Sequence, residues 1–147
     1  MFNKILVATD ASAAANRALK MAAYLAAQHD AELLIIHVIR DMQLPPEIRE
    51  VPELESFNNT REDILRRIAE STLKGAKAIA VKAGAKKIQT AIGSGDPASS
   101  VIGFSKRRNI DLVVIGTRGL GKIKGTLLGS VSRKVTNNTE VNCLVVR

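Results

Sequence analysis

The run "ELLIIHVI" (Glu32–Ile39) decides the fold class of this 147-residue chain. Its apolar residues are nearly consecutive instead of alternating with polar ones. Successive side chains of a β-strand point to opposite faces of the sheet, so a continuous apolar run predicts a strand that is buried on both faces. Such strands are typical of parallel sheets that are covered by helices on both sides.

Four further runs repeat this pattern or a variant of it. Three of them are also nearly continuous in Ile, Leu and Val, whereas the run at residues 87–92 alternates more and is expected at an edge of the sheet. The four runs are "KILVAT" (4–9), "KIQTAI" (87–92), "LVVIGT" (112–117) and "NCLVVR" (142–147).

Helical patterns separate the predicted strands. Three such patterns lie at residues 12–29, 54–83 and 96–108, and a fourth begins near Ser130. Asp96 is expected to cap the third helix, because it precedes a proline that suits the first helical position. The apolar positions expected to face the sheet are Ala15, Leu19, Ala22 and Ala26 in the first helix and Ile64, Leu65, Ile68, Leu73 and Ala76 in the second.

Strands that alternate with helices predict βαβ units with right-handed crossovers. We therefore expect an α/β fold in which residues 1–147 form one domain, with a doubly wound, five-stranded parallel sheet and helices on both faces. Residues 41–54 contain three prolines and are expected to be an excursion, not a domain boundary. Ligands of such sheets bind beyond the carboxyl ends of the strands, where the winding reverses. This rule points to the residues that follow strands one, two and four.

Composition and charge exclude several classes of protein. Aromatic residues make up 3% of the chain, so base stacking is not expected as a main activity. The single cysteine, Cys143, excludes an internal disulfide and a cysteine-based zinc cluster. No apolar run is long enough to span a membrane and the first strand leaves no room for a signal peptide, so we expect a reducing, cytoplasmic setting. The formal charge of +8 leaves a polyanionic partner open.

The stretch "VVIGTRGLGKIKGTLLGSVSRKV" (113–135) contains five glycines and nearly matches a phosphate-binding loop. Gly116 and Gly121 have the Walker spacing and Lys122 follows, but Ile123 replaces the hydroxyl that holds magnesium. The dinucleotide fingerprint also fails, because a lysine stands where its third glycine should be. Neither of these two loops is complete.

A third spacing fits fully: Gly116, two residues, Gly119, nine residues, Gly129 and then Ser130. With this pattern, the whole chain resembles the nucleotide-binding members of the universal stress protein family. The other segments that carry the resemblance are "ILVATDAS" (5–12), "GDPASSVIGFSKRRNIDLVVIGTRGLG" (95–121), "LLGSVSRKV" (127–135) and "CLVVR" (143–147).

The resemblance implies a nucleotide site at the carboxyl ends of the strands. It places Asp10 near adenosine or a metal ion, with a cap on the first helix as the alternative role. It also assigns adenine to backbone groups at Val38 or Ile39. The expected nucleotide-binding residues are Ala8, Thr9, Asp10, Val38, Ile39, Ile115, Gly116, Arg118, Gly119, Gly129, Ser130, Val131 and Ser132.

The glycines and serines of this set have specific expected roles. Gly116 and Gly119 lack side chains where the backbone must approach ribose and phosphate. The amides at the start of the last helix, and the hydroxyls of Ser130 and Ser132, are expected to donate to phosphate oxygens. A branched side chain at Gly129 is expected to restrict φ and to fill the phosphate volume. No catalytic residue or metal ligand is assigned; His37 is expected to have a core or rim role and Cys143 a core role.

The resemblance implies an ATP-binding protein of stress response or signalling, with Mg²⁺ or Mn²⁺ assisting, that acts through an unidentified protein partner. Nothing in the sequence supplies a general base, so at most slow hydrolysis or autophosphorylation is expected. The resemblance also implies a homodimer through the last strand, Asn142 to Arg147, whose open apolar edge would otherwise be a liability. Two alternatives stay open: a basic module that binds nucleic acid or another polyanion, and an ATP-using enzyme of a related α/β fold.

Overall fold

The computed structural model describes residues 1–40, 55–118 and 128–147, without the side chains of residues 55–58. Strands and helices alternate along these residues, and every strand pair is parallel, as the sequence predicts. The elements are β1 (Lys4–Ala8), α1 (Ala13–His29), β2 (Glu32–Ile39), α2 (Glu55–Lys82), β3 (Lys87–Ser94), α3 (Pro97–Arg107), β4 (Leu112–Gly116), α4 (Ser130–Asn138) and β5 (Asn142–Val146).

The sheet has the strand order β3-β2-β1-β4-β5. The winding reverses between β1 and β4, which pair in register from Ile5 with Leu112 to Val7 with Val114. This reversal creates a crevice at the carboxyl ends of the two strands, where ligands of doubly wound folds bind. The alternating run forms the edge strand β3, as predicted. The composition of β5 predicts a strand that is buried on both faces, but this strand is only half-buried. It forms the opposite edge of the described sheet, where β4 is its only neighbour.

Consecutive residues of the central strands pack against helices on opposite faces of the sheet. One layer lies under α1 and α2, and the other lies under α3 and α4. The first layer includes Ile5, Val7, Leu33, Ile35 and Val114, and the second includes Leu6, Leu34, Ile36, Val113 and Ile115. The continuous apolar runs therefore supply two cores, which is the reason for their lack of alternation.

The second helix is longer than the sheet that it covers. With 28 residues it measures about 42 Å, whereas the eight residues of β2 span about 26 Å. Leu73 and Ala76 are buried as predicted, but Ile64 and Ile68 are 53% and 52% exposed. Their predicted burial is wrong: among residues 59–82 of α2, the buried apolar positions begin at Ala69, which agrees with a helix that is longer than the strands it covers.

Candidate functional site

The chain between β1 and α1 forms a hydrogen-bonded turn at the carboxyl end of the sheet. The Thr9 amide donates to the carbonyl of Ile36 at 2.9 Å. Ser12 caps α1, since its Oγ accepts from the Ala15 amide at 3.1 Å. Asp10 Oδ1 accepts from the Ser12 amide at 2.9 Å, so Asp10 orders the capping residue and does not cap the helix itself.

Gly116 ends β4 directly against the first turn of α1. A Cβ at this position would lie 2.8 Å from the backbone carbon and oxygen of Ala14. The missing side chain therefore makes room for α1, a role that the sequence does not predict; the expected close approach of ribose and phosphate stays a prediction. The carbonyl of Gly116 accepts a 2.6 Å hydrogen bond from the Oγ of Ser132, which is buried. The Ser132 hydroxyl hydrogen is thus used inside the fold and is not available to a phosphate oxygen.

Gly129 is the N-cap of α4 and leaves the first turn of that helix without a side-chain cap. Its amide donates to the Thr117 carbonyl at 2.6 Å, and its own carbonyl accepts from the Arg133 amide at 3.0 Å. Its backbone is extended, with φ −67° and ψ 167°, which any residue can adopt. We expected a branched side chain at this position to conflict with the backbone angle φ. That expectation is wrong, because the observed φ suits a residue that has a side chain. The first-turn amides have no partner within the helix and carry the positive end of its dipole.

The ends of β1, β2 and β4 and the starts of α3 and α4 surround a cavity of about 860 Å³. All of the expected site residues line this cavity except Ile39 and Gly119. The carbonyl of Ile39 accepts a hydrogen bond from the Gly95 amide at 2.9 Å. Gly119 lies outside the described residues. The expected residues that line it are Ala8, Thr9, Asp10, Val38, Ile115, Gly116, Arg118, Gly129, Ser130, Val131 and Ser132.

Further lining residues stand outside the expected nucleotide-binding set. They are Ala15, Ile36, His37, Arg40, Pro97, Val101, Leu128 and Arg133. Arg40 directly follows β2, so the rule that ligands bind beyond the strand ends already pointed to it. The strand period could have found Ile36, since it lies two residues from Val38 and therefore on the same face of β2. No sequence signal assigns Pro97 and Val101 to the site, because only the packing of α3 against β2 and β3 brings them there.

Positive charge surrounds the cavity. Arg40, Arg118 and Arg133 line it, and Asp10 is the one carboxylate among its described lining residues. The positive end of the α4 dipole adds to this field. The arrangement is suited to an anionic ligand, and the single carboxylate is suited to a cation that such a ligand brings with it.

The cavity wall is braced by an ion pair between α3 and α4. Asp96 caps α3 as predicted, accepting from the Ser99 amide at 2.9 Å and from the Ser99 hydroxyl at 2.7 Å. The Nζ of Lys134 lies 2.9 Å from the same carboxylate. The hydrogen bonds from Ser99, followed by the one from Lys134, lower the pKa of Asp96 from 3.8 to about 2.

The described residues contain neither a metal cluster nor a membrane span. No group of three His, Cys, Asp or Glu residues in ranges 1–40, 55–118 and 128–147 is placed to hold a metal ion. Among the same residues, no helix has the length and hydropathy that crossing a membrane requires. A shallower depression of about 460 Å³ lies at the opposite end of the sheet, and both of its carboxylates have partners. Asp111 accepts hydrogen bonds from the amides of Asn3 and Lys4. Glu140 forms an ion pair with Lys106.

Comparison with known proteins gives one consistent result. The family model described as the universal stress protein family matches residues 1–147. The chain is 35% identical to universal stress protein YxiE of Bacillus subtilis, with all of both chains covered. Its structure is similar to UspA from Lactobacillus plantarum, with a TM-score of 0.86, 25% identity and coverage of 99% and 98%. It is also similar to a universal stress protein solved in complex with cAMP, with a TM-score of 0.72, 27% identity and coverage of 99% and 97%. The chain belongs to the universal stress protein family.

Proposed function

We propose that this protein binds ATP in the cavity between the ends of β1 and β4 and acts as a nucleotide-dependent module of stress response or signalling. The observation that carries the proposal is the uncapped start of α4, which lines a cavity together with Arg118 and Arg133. A helix start of this kind binds phosphate through its amides and its dipole. A structural relative that is 27% identical was solved in complex with cAMP, which supports an adenine nucleotide as the ligand.

The adenine ring is assigned to the apolar wall and to the backbone of Val38. Ile36, Val101 and Ile115 are apolar residues of the cavity lining. The carbonyl of Ile36 points toward β1, where it accepts from Thr9, and that of Ile39 points toward β3, where it accepts from Gly95. Backbone groups of a strand alternate in direction, so those of Val38 point toward β1, which has already ended. Val38 is therefore preferred over Ile39 for hydrogen bonds to the base.

A divalent cation fits this site as a companion of the nucleotide. Mg²⁺ is usually bound by one or two carboxylates together with substrate phosphates and water. Asp10 lines the cavity and supplies one carboxylate. Mg²⁺ or Mn²⁺ would neutralise charge on the phosphate chain there, while Asp10 holds the cation against the end of β1.

Occupancy, and not rapid turnover, is the mode of action that we propose. His37 is the one histidine of the described cavity lining, and its Nδ1 is engaged by the Thr9 carbonyl at 2.9 Å. Nucleotide binding would instead draw the start of α4 toward the phosphates and change the surface that a partner contacts.

We also propose a homodimer that forms through β5. This strand is an edge of the described sheet, and its residues from Cys143 to Val146 are half-buried. An exposed strand edge with apolar side chains pairs readily with another strand. A second copy of β5 would satisfy the outward backbone groups and cover these side chains.

The phosphate assignment is tested by calorimetry with Mg-ATP, AMP and adenosine. We expect ATP to bind more tightly than AMP, and adenosine to bind most weakly. Ser130→Asp would add a negative charge at the start of α4. This charge interacts favourably with the helix dipole but repels phosphate, so ATP affinity should fall about tenfold or more. Asn137→Asp adds the same charge near the other end of α4 and serves as the matched control. Equal affinities for ATP and adenosine would contradict the proposed use of α4.

A further inference from the structure

We infer that His37 is a positioning residue, whose imidazole holds the turn between β1 and α1 in the conformation that presents Asp10 to the cavity. The Nδ1 atom of His37 lies 2.9 Å from the carbonyl oxygen of Thr9, although 28 residues separate the two along the chain. His37 is half-buried and lines the cavity. The effect on ligand affinity rests on the proposed nucleotide site, whereas the contact itself belongs to the protein alone.

The contact defines which nitrogen of the ring carries hydrogen. A carbonyl oxygen can only accept a hydrogen bond, so Nδ1 must be the donor. In the neutral ring this selects the Nδ1–H tautomer and leaves Nε2 as an acceptor. The protonated ring also donates from Nδ1, so the contact is retained in both charge states of the imidazole.

The turn that receives this contact contains a disfavoured backbone conformation. Ala11 has a φ of 63°, which lies in the left-handed region that residues with a Cβ rarely adopt. Such a conformation persists only where surrounding contacts determine it. Two contacts lie within the turn itself: the Ala11 amide donates to the Oγ1 of Thr9 at 3.2 Å, and the Ser12 amide donates to Asp10 at 2.9 Å. These local contacts move with the turn and do not anchor it to the sheet.

Adjacent residues of β2 provide the anchor. The Ile36 carbonyl accepts from the Thr9 amide at 2.9 Å, and the His37 ring donates to the Thr9 carbonyl. Both backbone groups of Thr9 are thus held by one strand. Thr9 is 5% exposed, so water has little access to replace the imidazole. Removal of the ring would leave a buried carbonyl without this donor and would release one of the two hydrogen bonds that join Thr9 to β2.

Three substitutions of His37 separate a positioning role from a general structural one. Asn places an N–H group close to the position of Nδ1 and should preserve the hydrogen bond to the Thr9 carbonyl. Gln places its N–H group nearer to the position of Nε2. Leu has no hydrogen-bond donor. We expect His37→Asn to bind Mg-ATP within about twofold of the unmodified protein. His37→Gln and His37→Leu should bind about tenfold more weakly, or about 1.4 kcal/mol.

Hydrogen exchange of the Ser12 amide, measured by NMR without nucleotide, provides a readout that is independent of ligand. His37→Leu should speed this exchange and His37→Asn should not, because only the leucine variant releases the turn. Ala11→Gly introduced into the His37→Leu protein should restore part of the lost affinity, since glycine adopts positive φ readily and needs less restraint. Circular dichroism establishes that each variant is folded.

Each outcome decides the inference. Wild-type affinity and wild-type Ser12 exchange in His37→Leu would overturn it. Equal losses of affinity in His37→Asn and His37→Leu would also overturn it, because the ring itself and not its donated hydrogen would then matter. If the unmodified protein fails to bind Mg-ATP, the proposed function fails, while the exchange of Ser12 in the three variants still decides whether His37 holds the turn.

Discussion

At the scale of single residues, the site depends on contacts between segments that are far apart in the chain. Gly116 is the clearest case, because its missing side chain lets the end of β4 meet the backbone of Ala14. Ser132 then fastens α4 to the same residue through its 2.6 Å hydrogen bond to the Gly116 carbonyl. Gly116 therefore joins β4, α1 and α4 at one point beside the cavity.

Gly116→Ala should destabilise the protein by about 1–3 kcal/mol, because the added methyl group overpacks a backbone contact that cannot move aside. Gly75→Ala is the matched control. It lies in α2 with nothing within 4 Å of the added Cβ, and should stabilise the protein by about 0.5–1 kcal/mol. Urea unfolding followed by circular dichroism gives both values. A shift of the two midpoints in the same direction would contradict this account of Gly116.

At the scale of secondary-structure elements, the Asp96 carboxylate joins the start of α3 to the middle of α4. This group caps α3 through Ser99 and contacts Lys134 of α4. Because α4 supplies the proposed phosphate-binding amides, this ion pair helps to hold those amides in position relative to α3. About half of each side chain is exposed, so screening by solvent keeps the pair below about 1 kcal/mol.

The lowered pKa of Asp96 predicts a defined loss of stability in acid. A carboxyl group with a lowered folded-state pKa stabilises the fold above its unfolded value, here 3.8, and loses that contribution as the pH falls through about 2. Asp96→Asn keeps a capping side chain but should remove this part of the pH dependence between pH 4 and 2. Lys134→Met should leave most of the pKa shift, because Ser99 is its larger cause. NMR titration of the carboxyl carbon tests this order, which a return to pKa 3.8 in Lys134→Met would contradict.

At the scale of the whole molecule, the two edges of the described sheet differ in composition. Half of the positions of β3 are exposed and its ends are polar, whereas the residues of β5 that follow Asn142 are apolar and half-buried. The Val146 carbonyl accepts from the Thr117 amide, so backbone groups of Val146 and Leu144 point toward β4. Those of Cys143 and Val145 consequently point outward, where a second copy of the chain can pair with them.

Val145→Pro should convert the proposed dimer into a folded monomer. Proline removes an N–H from the open edge and leaves the hydrogen bonds to β4 in place. Leu144→Pro is the contrasting variant, since it removes a donor that points toward β4 and should lower the thermal stability of the fold. Light scattering at micromolar concentration measures the mass of each protein. An unmodified protein that is monomeric there, or a Val145→Pro protein that remains dimeric, would show that β5 is not the interface.

The sequence by itself determined the alternation of strands and helices and the parallel, doubly wound class of the sheet, whereas the strand order comes from the structure. Continuous apolar runs predicted strands buried on both faces, the alternating run predicted the edge position of β3, and the Asp96–Pro97 pair predicted the start of α3. These predictions succeeded, except for the burial of β5, because backbone periodicity and helix capping depend on neighbours within a few residues. The individual site residues came from the resemblance to a known family, and most of them line one cavity, since the carboxyl ends of parallel strands share one edge of the sheet.

Only the tertiary structure decided what individual residues do there. The exposure of Ile64 and Ile68 follows from the length of α2 relative to the strands that it covers. The roles of Gly116, Ser132 and His37 each depend on one distance to a residue that is remote in sequence. Sequence patterns specify which face of a strand or helix a side chain occupies. Hydrogen bonds and van der Waals contacts, however, act over about 3–4 Å. Only the packed arrangement of strands and helices defines atomic positions to that precision.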